Sequence, residues 1–141
     1  MHVPASDGHA PIRVLVVDAD ERVRESLAGL LSIGGHVHVV GTAGDPGAAL
    51  ALISSTDPDI VMVDPRLPDV DRGLGLIRLM RDSAPGVRVL VMSWSDSLED
   101  GLARCGADGF VRKTFRPSEL FAAIRAAGVS SRTDPTCTCL C

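Results

Sequence analysis

The sequence is poor in aromatic residues, which make up 3% of it, and it contains no tyrosine. Aliphatic side chains must therefore build most of the hydrophobic core. Basic residues are also scarce, since 14 Lys and Arg stand against 18 Asp and Glu and give a net charge of -4. A chain without a basic surface lacks the electrostatic attraction that nucleic-acid binding requires. We therefore expect no direct contact with nucleic acid.

Long apolar segments are absent as well, because no run approaches the roughly 20 residues that cross a bilayer. The first ten residues, MHVPASDGHA, lack the charged and apolar regions of a signal peptide. We therefore expect a cytoplasmic protein without membrane contact. Cys105 stands alone and the other cysteines crowd into the final TCTCLC, so the chain has no spread framework of disulfides.

What the chain does have is enough apolar sequence for one domain, with 45% hydrophobic content over 141 residues. We predict an N-terminal tail over residues 1–11, a single domain over residues 12–127 and a disordered C-terminal tail over residues 128–141. Because only this tail follows residue 127, we expect a protein without an effector domain of its own.

Five apolar runs have the length of β-strands. They are IRVLVV (12–17), HVHVVG (36–41), DIVMV (59–63), VRVLVM (87–92) and DGFV (108–111). Continuous aliphatic character is typical of strands that are buried on both faces, as in a parallel sheet. The second run begins with alternating His and Val, which favours a strand at the edge of the sheet.

A segment with helical periodicity follows each run. The marking residues are Val23, Leu27, Leu30 and Leu31 in the first helix, Asp45 and Pro46 at the start of the second, Leu76, Ile77 and Met80 in the third, Leu98 and Leu102 in the fourth (95–106), and Leu120, Phe121 and Ile124 in the fifth (116–128), with Ser118 or the preceding turn as its cap. Strand and helix alternate five times, which predicts a doubly wound α/β sheet with helices on both faces.

Ligands of such sheets bind beyond the carboxyl ends of the strands, so the residues that follow each strand are the candidates for a site. Two acids flank Ala19 after the first run, and Asp64, Ser93 and Lys113 follow or end three others. Clustered carboxylates repel one another unless a cation joins them, and Mg²⁺ prefers oxygen ligands together with phosphate. A lysine beside them would supply a positive charge for an anion.

Four stretches resemble the receiver domain of bacterial two-component response regulators. They are VLVVDAD, PDIVMVDPRLPD, VLVMSWSD and GFVRKTFRPSEL, in the order and with the spacing of that family. The resemblance covers residues 12–127 and implies a flavodoxin-like fold, with five parallel strands in the order 2-1-3-4-5.

The resemblance also implies a role for each matching residue. Asp64 would accept a phosphoryl group from a sensor histidine kinase or a phosphotransfer protein, with Ser93 and Lys113 contacting the phosphoryl oxygens. Magnesium would be held by Asp18, Asp64 and the backbone carbonyl of Arg66. Signalling would occur by contact with a downstream protein whose identity the sequence does not give, or through a homodimer formed by the fourth helix, fifth strand and fifth helix. The residues expected to switch or to form that surface are Trp94, Phe110 and Phe115.

Three positions depart from the family pattern. Ala19 stands where the family carries a second acid, so one magnesium ligand is lost and binding is weakened or abolished; Asp20, one residue later, would cap the first helix or act as a substitute ligand. The usual Lys-Pro is Lys113-Thr114, which favours a rearranged loop. The usual Asp-Gly is interrupted in Asp71-Arg72-Gly73, which indicates a one-residue insertion.

Two alternatives to a working switch stay open. A degenerate receiver would bind a partner protein without being phosphorylated, which is the reading that Ala19 motivates. An Asp-x-Asp after an apolar strand is also how haloacid-dehalogenase-like phosphatases begin, with Asp18 as nucleophile and Asp20 as general acid. The leading hypothesis is a signalling protein and not an enzyme.

Overall fold

The structure is a computed structural model, and it describes residues 10–67, 69–94, 106–113 and 116–129. Nearly all of the predicted fourth helix, Pro68, Thr114, Phe115 and most of both predicted tails lie outside these ranges. The predictions made for those residues therefore stay predictions.

Five parallel strands form one sheet. They are β1 (Ile12–Val17), β2 (Val37–Ala43), β3 (Ile60–Val63), β4 (Arg88–Ser93) and β5 (Gly109–Arg112). Their order across the sheet is β2-β1-β3-β4-β5, and every neighbouring pair is parallel. This confirms the predicted order, and the alternating second strand does lie at an edge.

Four helices are described, and they are numbered here in chain order: α1 (Glu21–Leu31), α2 (Pro46–Thr56), α3 (Val70–Ser83) and α4 (Pro117–Val129). Asp20, Asp45 and Asp69 cap the first three with their side chains. Ser118 lies inside α4, so its interpretation as a cap is wrong. The preceding turn serves instead, because the Arg116 carbonyl accepts hydrogen bonds from the N–H groups of Glu119 and Leu120.

The hydrophobic core lies in two layers, one on each face of the sheet. Alternate strand residues point to opposite faces, so Leu15 and Val63 pack with α2 and α3, whereas Val16 and Met62 pack with α1 and α4. The helices therefore cover both faces, as predicted. Among the residues that the structure describes, no helix is long and apolar enough to cross a membrane.

Candidate functional site

The first residue after β1, after β3 and after β5 continues the hydrogen bonding of the sheet. The amide N–H of Asp18 donates to the Ala43 carbonyl (3.0 Å), that of Asp64 to the Val17 carbonyl (3.0 Å) and that of Lys113 to the Ser93 carbonyl (2.8 Å). These bonds fix three charged residues at the same edge. Asp18, Asp64 and Lys113 are also the buried charged residues of the described chain.

The ammonium of Lys113 joins the two carboxylates. Its Nζ lies 2.5 Å from Oδ2 of Asp18 and forms a second ion pair with Oδ2 of Asp64. Two carboxylates share one ammonium, so the cluster carries one more acid than base. A buried cluster with that imbalance attracts a further cation or a ligand that brings one.

Each carboxylate is held by its own loop through the same local turn. Oδ1 of Asp18 accepts the N–H of Asp20 (2.8 Å), and Oδ1 of Asp64 accepts the N–H of Arg66 (2.9 Å). Asp side chains commonly bond the backbone two residues later in this way. The remaining oxygen of each acid, Oδ2, is thereby turned toward Lys113. Apart from its ion pair, Oδ2 of Asp18 has no hydrogen-bond donor in the described part of the chain.

The loop between β1 and α1 gives Asp20 a separate task. Oδ1 of Asp20 accepts hydrogen bonds from the N–H groups of Arg22 (2.9 Å) and Val23 (3.4 Å), which makes it the cap of α1. This agrees with the capping alternative of the sequence. Ala19 is exposed and offers no side-chain oxygen. The carboxylate of the next residue, Asp20, points toward the helix.

Arg24 of α1 holds the same loop, and no pattern in the sequence selects this residue. Its Nη1 donates to the carbonyl of Asp18 (2.8 Å). Gly44, at the end of β2, leaves room for this guanidinium, because a Cβ at position 44 would lie 2.5 Å from Nη1 of Arg24. The guanidinium of Arg24 therefore offsets part of the negative potential of the carbonyls between β1 and α1. The place of an arginine in a helix does not reveal such a contact.

The loop that follows Asp64 is fixed by a close approach of α3. A Cβ at Gly73 would lie 1.7 Å from the carbonyl oxygen of Pro65, so only glycine permits this packing. Asp69 caps the helix four residues earlier through the N–H of Arg72 (2.9 Å). The sequence indicated a one-residue insertion before Gly73. In the structure this glycine packs against the carbonyl of Pro65.

Ser93, the predicted phosphoryl contact, and the predicted switch residues lie at different depths. Ser93 ends β4 and is half-buried, and Phe110 in β5 packs against the core layer of α2 and α3. Trp94 is 54% exposed, as expected for a surface residue. Its ring also contacts the charged cluster, because Nζ of Lys113 lies 5.1 Å from the ring centroid. Phe115 lies outside the described residues.

The oxygen donors at this edge suit magnesium, but they are fewer than in the family pattern. The described residues contain no group of three or more His, Cys, Asp or Glu side chains that could hold a metal. Two carboxylates remain, whose Oδ2 atoms pair with Lys113, and Mg²⁺ is commonly bound by one or two carboxylates together with waters and phosphate oxygens. Asp18 and Asp64 therefore fit the ion, but with fewer protein ligands than an acid at position 19 would provide.

A comparison with protein families assigns the chain. The family model described as the response regulator receiver domain matches residues 14–125. The chain belongs to this family. Receiver domains are the phosphorylation-controlled parts of two-component response regulators; they typically bind Mg²⁺ and interact with histidine kinases or phosphotransfer proteins.

Individual relatives agree with this assignment. The receiver domain is 41% identical over 118 residues to the response regulator MprA of Mycolicibacterium vanbaalenii, covering 82% of this chain and 50% of the relative. It is 38% identical over 117 residues to MprA of Mycobacterium tuberculosis, covering 82% and 50%. The chain thus spans about half the length of the curated relatives it matches.

A solved structure extends the likeness to three dimensions. The signal receiver domain of the putative response regulator NarL from Mycobacterium tuberculosis is 32% identical, with a TM-score of 0.76, and the match covers 85% of this receiver domain and 98% of that chain. A LuxR-family two-component response regulator from Aurantimonas gives 32% identity and a TM-score of 0.73, covering 83% and 84%.

Proposed function

We propose that Asp64 accepts the phosphoryl group and that the cluster of Asp18, Asp64 and Lys113 is the switch of this receiver domain. The observation that carries the proposal is the shared ammonium: Nζ of Lys113 pairs with Oδ2 of both buried acids. Phosphoryl transfer needs positioning and charge neutralisation more than covalent help from the protein. A buried carboxylate with a fixed cation beside it supplies both.

In the proposed reaction, a carboxylate oxygen of Asp64 attacks the phosphorus of the donor. For a phosphohistidine donor, a P–O bond to Asp64 forms while the P–N bond breaks, and the imidazole leaves with the electron pair and takes up a proton. Lys113 then neutralises part of the added negative charge, and the Ser93 hydroxyl donates to a phosphoryl oxygen. The donor would be a sensor histidine kinase or a phosphotransfer protein.

Magnesium would be held by Asp18, Asp64 and the carbonyl oxygen of Arg66. When bound, the ion would neutralise the phosphoryl oxygens during transfer. Ala19 removes one donor, and the carboxylate of Asp20 caps α1, so we propose that this receiver binds the ion more weakly than one with an acid at position 19.

Output would occur by protein contact at the surface next to the cluster. Trp94 is exposed beside Lys113, and Phe110 lies on the neighbouring strand β5. A downstream protein, or a second copy of the chain, would read this surface after Asp64 has changed its charge. A bistable contact at the site is what such a readout requires.

Intact-mass spectrometry after incubation with acetyl phosphate and Mg²⁺ tests the proposal. We expect the wild type to gain the mass of one phosphoryl group and Asp64→Ala to gain none. Asp59→Ala is the matched control, since Asp59 is an exposed acid directly before β3, at the opposite edge of the sheet, where its Oδ2 accepts the N–H of Arg13. Phosphorylation that persists in Asp64→Ala would contradict the assignment of the acceptor.

The second candidate is a receiver that binds its partner without being phosphorylated. Ala19 and the capping role of Asp20 favour it, because both remove ligands from the metal site. The same mass experiment separates the two functions. An absence of phosphoryl mass at every Mg²⁺ concentration, in a protein that remains folded, would favour this candidate over the switch.

A further inference from the structure

Lys113 and Trp94 form a contact between two residue types that each occur once in the chain. The sequence contains one lysine and one tryptophan, since arginine supplies every other basic side chain. These two residues contact each other, with Nζ of Lys113 lying 5.1 Å from the centroid of the Trp94 ring. The ammonium that the two acids share is therefore also the group that the indole contacts.

The contact has the chemistry of a strong cation–π interaction. Tryptophan is the best aromatic partner for an ammonium, and the attraction grows when the cation is removed from water. The side chain of Lys113 is 3% exposed, whereas Trp94 is 54% exposed. One part of the indole thus lies against a desolvated charge while the rest faces solvent.

The compact shape of lysine suits a position with three partners. An ammonium is a point charge with three donors, whereas a guanidinium is a planar fork. Lys113 reaches Oδ2 of Asp18 and Oδ2 of Asp64 and still presents its charge to the ring of Trp94.

We propose that Trp94 is a positioning residue of the phosphoacceptor site. The indole holds the ammonium of Lys113 between the two acids, and it registers the charge of Asp64 through that ammonium. A phosphoryl group on Asp64 adds negative charge within reach of Lys113, and Lys113 follows that charge. The contact with the ring then changes, and so does the environment of an exposed side chain. This second step rests on the proposed function of Asp64.

The contact itself is tested without phosphate. Because Lys113 is the single lysine, its ε-CH₂ protons give one assignable NMR signal. The ring current of Trp94 should move this signal upfield from the ordinary lysine position. Trp94→Phe, which keeps an aromatic face, should retain part of the displacement, and Trp94→Leu should abolish it. A wild-type signal at the ordinary position overturns the proposal.

The positioning role is tested by rates of phosphorylation with acetyl phosphate. Trp94→Leu should slow the reaction roughly threefold to tenfold, which is the size of a cation–π contribution. Trp94→Phe should recover a large part of the wild-type rate. Leu79→Ala is the control, because Leu79 is an apolar side chain of α3 that is 50% exposed. A rate in Trp94→Leu that equals or exceeds the wild-type rate overturns the role.

The fluorescence of the single tryptophan tests the second step. Phosphorylation should change the emission of Trp94 in the wild type and leave it unchanged in Asp64→Asn under the same conditions. Constant emission in a protein whose added mass proves phosphorylation overturns the proposal. A protein that gains no phosphoryl mass contradicts the proposed function instead, and the NMR signal then decides the contact by itself.

Discussion

Two ion-pair clusters lie at opposite edges of the sheet, one of them buried and the other partly buried, and they are built differently. At the carboxyl edge, Lys113 pairs with Asp18 and Asp64. At the amino edge of β4 and β5, Arg81 of α3 pairs with Asp108 at 3.2 Å. Among the residues that the structure describes, the first has two acids for one base, and the second pairs one acid with one base.

The two clusters also differ in the partners of their carboxylate Oδ2 atoms. Oδ2 of Asp108 accepts the N–H of Val89 (2.8 Å), and Nη2 of Arg81 donates to the carbonyl of Val87 (2.6 Å). The backbone of β4 thus secures the amino-edge pair, which joins α3 to the sheet. At the carboxyl edge, the Oδ2 atoms face only Lys113 among the described donors. A cluster whose groups are bonded to the backbone is suited to hold the fold, and one with excess charge is suited to receive a ligand.

Removal of the shared ammonium should have the largest effect on stability. Lys113→Met leaves two buried carboxylates without a cation, and breaking a buried pair in this way costs about 3–5 kcal/mol. Urea denaturation at neutral pH would measure the loss. Addition of Asp64→Asn to this variant should restore part of the stability, because one uncompensated charge is then removed. A double variant less stable than Lys113→Met would contradict this account of the cluster.

Helix α3 connects the two edges, and its Gly73 packs closely against the loop that follows Asp64. Gly73→Ala places a methyl group against the Pro65 carbonyl, which should cost about 3 kcal/mol, at the upper end of the range for overpacking. Gly75→Ala is a matched control in the same helix, since nothing lies within 4 Å of its Cβ position. In thermal and urea unfolding, the free energy of unfolding of this control should rise by about 0.5–1 kcal/mol.

The amino-edge pair should affect stability without affecting phosphorylation. Asp108→Ala removes the acceptor for Val89 and for Arg81, and leaving such groups without it should cost about 1–3 kcal/mol. Urea denaturation gives the cost, and intact mass after acetyl phosphate treatment gives the function. If Asp108→Ala impaired phosphorylation at temperatures where it is fully folded, the separation of roles between the two clusters would be wrong.

An acid at position 19 should change the metal affinity more than the stability. Ala19→Asp adds a carboxylate to the loop that contains Asp18, so Mg²⁺ should bind about tenfold more tightly, which corresponds to roughly 1.4 kcal/mol. Isothermal titration calorimetry measures the affinity, and Ala19→Asn, which adds bulk without the charge, is its control. Equal affinities for the wild type and Ala19→Asp would count against the family register of this loop.

The positions of the strands and the residues at their ends follow from the sequence, because both depend on local pattern. The order of the strands, in contrast, was implied by the resemblance to receiver domains. Continuous apolar runs, helical periodicity and the caps Asp20 and Asp45 act within a few residues of the chain. The three charged residues at the carboxyl edge could be predicted because parallel strands end at one edge.

Other features depend on how far side chains reach across the fold. Arg24 meets Gly44 and the carbonyl of Asp18, and Trp94 meets Lys113 on the adjacent strand. No periodicity specifies such contacts. The Ser118 alternative for the cap of α4 is wrong for a smaller reason: Ser118 is a favourable capping residue, but Pro117 before it is suited to the first helical position.

The paired turns at Asp18 and Asp64 bear on how this loop can change over evolutionary time. In both, a backbone N–H fixes one carboxylate oxygen, and a backbone group is present whatever side chain occupies the positions after the acid. A substitution at position 19 would therefore change the number of oxygen donors in the loop while Asp18 keeps its direction. The backbone sets the direction of both acids, and the side chain at position 19 sets how many oxygens lie beside them, so the two properties can change independently.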